Sequence, residues 1–139
     1  MDDKRLVELA ERLMQRDRDL AAPLEAVWEA ARELREEAHA AVEAFRGVLL
    51  ARGAGHLARI EVGPVEPDEK HVDCVQFRIA RGRWQALYVG KAAGKATLVG
   101  PFKLGHSEQP CRDFPLRGPE VERGLEDLLL TLIEKASER

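Results

Sequence analysis

The sequence predicts an α+β two-layer sandwich: an antiparallel meander of four or five strands with a long amino-terminal helix and a carboxy-terminal helix packed on the same sheet face. Three observations lead there. Residues 72–102 alternate in polarity and are interrupted by glycines at 82 and 94, as in three strands joined by two tight turns. Apolar residues recur at helical spacing from Leu24 to Leu49, and again from Val121 to Ala136 behind Gly118-Pro119.

The meander carries the register. With Arg81-Gly82 as a two-residue loop, Ala80 faces Arg83, and Ile79, Phe77 and Val75 pair with Trp84, Ala86 and Tyr88 on one side of the pleat. A second turn at Ala92-Ala93-Gly94 sets Tyr88 against Leu98 and Trp84 against Phe102. That side is the expected core, because a slip of one residue would turn Phe77, Trp84 and Tyr88 outward. The reverse side then holds Arg78, with Arg83 opposite Lys103. From Cys74 to Ser107 there are six Lys and Arg and no Asp or Glu, in a chain that is 34% charged with a net charge of −3. The surplus acid belongs to the helical ends.

At the amino terminus, Asp2 or Asp3 suits a helix cap before Leu6, Leu9, Leu13 and Leu20. Pro23 favours a first turn over a helix interior, so a second helix is expected to start there and to stop at Arg52-Gly53-Ala54-Gly55. About 28 residues at 1.5 Å give roughly 42 Å, against roughly 26 Å for an eight-residue strand. The overhanging stripe needs a cover, either the first helix folded back or a second copy of the chain. Leu57 to Val62 is expected as a first strand, and Cys111 to Leu116 as a short one within the irregular 104–118 segment. Pro101 marks an edge or a bulge. The whole is one domain: a helical region to residue 53, a sheet over 56–116 and a helix over 119–137.

Composition narrows the function classes. The start of the chain, MDDKRLVELAERL, lacks the apolar core of a secretory leader, and no apolar run approaches a membrane span. Two cysteines are too few for a disulfide framework or a cysteine zinc site, so a cytoplasmic setting is expected. Gly90-Lys91-Ala92-Ala93-Gly94-Lys95 fails as a phosphate loop: its glycines are one residue too close, Ala96 stands where Ser or Thr is needed, and a strand follows. His106, Cys111 and Asp113 are the weak catalytic candidates, since an imidazole could activate a thiolate, but their spacing matches no known site. Neither metal nor cofactor is expected. Arg78, Arg83 and Lys103 are the candidate binders of an anion or an acidic protein partner. Nucleic acid fits poorly, because the aromatic platforms it needs point into the core. The leading expectation is a non-enzymatic interaction module, a homodimer through the long helix or the sheet face. The alternatives are a small enzyme or ligand-binding protein using the 104–118 loop, and a weak binder of anions or nucleic acid through the basic face.

Overall fold

A computed structural model describes residues 2–68, 71, 73–105 and 109–137. The α+β architecture is as expected, with one substantial change at the amino terminus. Instead of two helices, a single helix, α1, runs from Asp3 to Ala51, about 73 Å at 1.5 Å per residue. The backbone passes through Pro23 in helical form, although an interior proline forgoes one hydrogen bond and costs about 3 kcal/mol. A break would need more than the proline. Leu20-Ala21-Ala22 supplies neither a glycine to end one helix nor a capping side chain to start another. The first helix therefore does not fold back on the second.

Both ends of α1 are specified locally. The Asp2 carboxylate accepts from the Lys4 amide at 3.0 Å. At the other end Gly53 has φ 72°, and the amides of Gly53 and Ala54 donate to the carbonyls of Leu50 and Leu49, the paired bonds of a Schellman ending.

A short 3-10 turn at Gly55–Leu57 leads into β1 (Glu61–Val62) and β2 (Glu66–Pro67), which pair one after the other with the same edge of β3 (Cys74–Arg81). The expected strand over 57–62 is thus cut to two residues. Its neighbours Ala58 and Ile60 are instead tied to α1 by Arg46, whose guanidinium donates to the Ile60 carbonyl at 3.2 Å. Arg35 does the same for Val62 and Gly63 at 3.1 and 3.2 Å. The sheet continues through β4 (Trp84–Lys91), β5 (Lys95–Lys103) and β6 (Cys111–Pro115), all antiparallel.

The first hairpin differs from its expected register by two residues. The loop is Gly82-Arg83, with positive φ at Gly82 alone, so glycine occupies the first loop position as in a type II′ turn. Phe77 consequently faces Tyr88 and Ile79 faces Ala86, and the two rings stack 5.0 Å apart. A shift of two keeps every side chain on its face. Val75, Phe77, Ile79, Ala86 and Tyr88 are all buried inward.

The second hairpin pairs Tyr88 with Leu98 as expected, but an irregularity between Gln85 and Leu87 then moves Phe102 opposite Gln85 and Lys103 opposite Trp84. Gly100, at φ 110°, allows this: a Cβ there would lie 2.9 Å from the Gln85 carbonyl oxygen. The proline signal at 101 thus marks a bulge.

Beneath the sheet lie the second half of α1 and the closing helix α2 (Pro119–Ser137). Val27, Ala31, Leu34, Ala38 and Val42 of α1 share one core with Val121, Leu125, Leu129 and Leu132 of α2. Arg117 ties the α2 approach to α1 through Glu33 at 2.6 Å.

Candidate functional site

The basic triad does not converge. Arg78 projects from the solvent face of β3 opposite Leu87, Arg83 sits in the turn, and the bulge in β5 carries Lys103 to the side of Trp84. The fault in the expectation is the single extra residue, which reverses alternation beyond it. Neighbouring strands also supply acid to the solvent face: Glu61 opposite Ala80, Glu66 opposite Gln76 and Asp113 opposite Thr97. That face is of mixed charge, not an anion cradle.

Cys111 and Asp113 do share a face, two residues apart on β6, and Asp113 accepts from the Thr97 hydroxyl at 2.6 Å. His106 lies outside the described residues. Among the described residues no group of three His, Cys, Asp or Glu could hold a metal. Cys111 also forms part of the wall of a cavity of about 180 Å³ between β5, β6 and α2, alongside Leu98, Phe114 and Leu128. Arg112 crosses the same region, its guanidinium 5.1 Å from the centre of the Phe114 ring. At Cys74 burial, then the Asp68 carboxylate, hold the thiol above its ordinary range, which disfavours a reactive thiolate.

The more prominent feature is the free half of α1. Leu6, Val7, Leu9, Leu13 and Met14 are 48%, 56%, 46%, 55% and 60% exposed, whereas Val27 and Leu34 further along are 1% and 5%. At 100° per residue Leu6, Leu9 and Leu13 fall on the same side of the helix as Val27, Ala31 and Leu34. Leu6 to Leu13 thus repeat the sheet-facing pattern for about two turns, some four turns of helix before Val27. On one flank of it, spaced by seven and four, stand Arg5, Arg12 and Arg16, which form no ion pair with a described side chain.

A second uncovered surface lies where α1 and α2 diverge, a groove of about 580 Å³. Ala38, Phe45, Leu129 and Ile133 form its apolar bed, and Glu37, Glu122 and Glu126 line its rim with Arg123 as the lone cation. Burial, and then the neighbouring carboxylates of Glu122 and Glu33, raise the pKa of Glu37 above its ordinary value. The stripe was legible in the sequence as Leu6, Leu9 and Leu13. Its exposure was not, because that depends on whether the chain turns at Pro23. The groove had no sequence signal, since its two walls are some 80 residues apart. No family model, no curated protein and no solved structure matches this chain.

Proposed function

We propose that this protein is a non-enzymatic, self-associating interaction module of the cytoplasm, and that its amino-terminal half-helix is the docking element. The observation that carries the reading is the uncovered stripe of Leu6, Leu9 and Leu13, widened by Val7 and Met14. A helix of some twenty residues without tertiary contacts is marginal in water, and contiguous exposed apolar surface of this kind marks an interaction site. A second copy brings an identical stripe, which makes self-association the economical cover. The compartment is supported by two unpaired cysteines, one of them exposed, since free thiols persist most readily in a reducing environment.

Sedimentation equilibrium of the full chain across the micromolar range tests the reading. The native chain should sediment as a dimer, and the Leu9→Glu/Leu13→Glu variant as a monomer with an unchanged near-ultraviolet signal from Trp84 and Tyr88. A native chain that stays monomeric throughout overturns it.

A further inference from the structure

We infer that the stripe of one copy docks in the groove between α1 and α2 of a second copy, its arginine flank against the glutamate rim. The inference rests on the self-association reading and names the surface that receives the helix. Three properties of the two surfaces match.

The first is shape. The groove is an open channel between two helices, with apolar side chains from both along its bed, the form that accepts a third helix through anchors at i, i+3 and i+7. Leu6, Leu9 and Leu13 have that spacing and half of their surface to give.

The second is charge. The stripe is flanked by Arg5, Arg12 and Arg16, and the groove is rimmed by Glu37, Glu122 and Glu126 against Arg123 alone. Like charges already crowd Glu37, so an arriving guanidinium relieves a repulsion as well as forming a pair.

The third is spacing. The middle of the stripe, near Leu9 to Leu13, and the α1 wall of the groove, near Ala41, are about 30 residues apart, or roughly 45 Å of helix. A two-fold axis crossing α1 near Ala26, with the helices antiparallel, lays each stripe over the other copy's groove at once. Both contacts then form in a closed pair, as an isologous dimer requires.

A charge swap tests the inference. Arg5→Glu/Arg12→Glu places carboxylates against the native rim, and Glu122→Lys/Glu126→Lys places ammonium groups against the native helix. Each variant alone should dimerise at least tenfold more weakly than the native chain at low salt. An equimolar mixture should recover native affinity as a heterodimer, because both of its contacts are then complementary, and added salt should weaken that recovery. Circular dichroism melts of each variant check that the fold is kept, which is expected since all four positions are exposed. A native dimer that the leucine variant dissociates, but that neither charge variant weakens and mixing does not rescue, overturns the groove while leaving self-association intact. A native monomer overturns both.

Discussion

Replacing Gly124 by alanine sets two effects of known size against each other in the closing helix. Alanine is favoured over glycine in a helix interior by about 1 kcal/mol. At Gly124, however, a Cβ would lie 2.6 Å from Cζ and 2.9 Å from Cε1 of Phe114, and 3.1 Å from a Leu98 methyl. Ordinary carbon contacts are about 3.5–4.0 Å, so the ring on β6 or the axis of α2 must retreat by about 1 Å. Overpacking of this kind costs about 1–3 kcal/mol, and the net expectation is a loss of about 1 kcal/mol. Gly47 is the internal control. It lies in α1, exposed, with nothing within 4 Å of its would-be Cβ, so Gly47→Ala should keep most of the propensity gain, about 0.5–1 kcal/mol. Urea unfolding at one fixed protein concentration, followed by tryptophan fluorescence, reads both changes. If the two alanines stabilise the protein equally, α2 is not held against the β5–β6 edge as described, and the cavity beside Cys111 loses its wall.

Two further outcomes are expected. Tyr88 Oη is buried with no hydrogen-bond partner among the described residues, and burial pushes its phenol up to about 12. Removing an unpaired buried hydroxyl is neutral to stabilising, so Tyr88→Phe should leave stability unchanged or raise it by up to about 1 kcal/mol; a loss larger than that would mean the hydroxyl is bonded. Glu37 has a folded pKa raised above its ordinary 4.5, so the fold favours its protonated form. The stabilisation is therefore full below the unfolded value and is lost as pH rises through the folded one. In the Leu9→Glu/Leu13→Glu background, where no docked helix shields it, Glu37→Gln should melt higher than its parent at pH 7, and the advantage should vanish in melts below pH 4.

The parts of this fold that were legible in the sequence are those specified within a few residues. Gly53 ends α1 because a left-handed residue there closes two carbonyls, and Pro119 opens α2 where its missing amide costs nothing. The inward set of Phe77, Ile79 and Tyr88 is fixed by alternation and survives a register error of two, since only an odd shift exchanges faces. The parts that were not legible depend on one residue more or fewer, or on a choice between near-equal local energies. Lys103 changes sides through a single bulge at Gly100, where the absence of a side chain is required because a Cβ would lie 2.9 Å from the Gln85 carbonyl oxygen, a constraint between chain segments 15 residues apart. Likewise, Arg83 left the predicted basic face because glycine took the first loop position and not the second.

Pro23 has the widest consequence, because the same side chains serve different ends according to the backbone there. Had the chain turned at that point, Leu6, Leu9 and Leu13 could have been buried along Val27 to Val42 in a two-helix hairpin, and the domain would have closed on itself. With the helix continuous, those leucines lie far along a rod from the core they match in pattern, and no rearrangement short of breaking α1 brings them back. The uninterrupted backbone thus converts residues suited to an intramolecular core into a surface that only another molecule can cover. The same continuity holds the stripe and the α1 wall of the groove at a fixed spacing of about 45 Å, which a flexible joint would not preserve. A rigid spacing favours a closed two-copy arrangement, in which both contacts form together and each raises the effective concentration of the other.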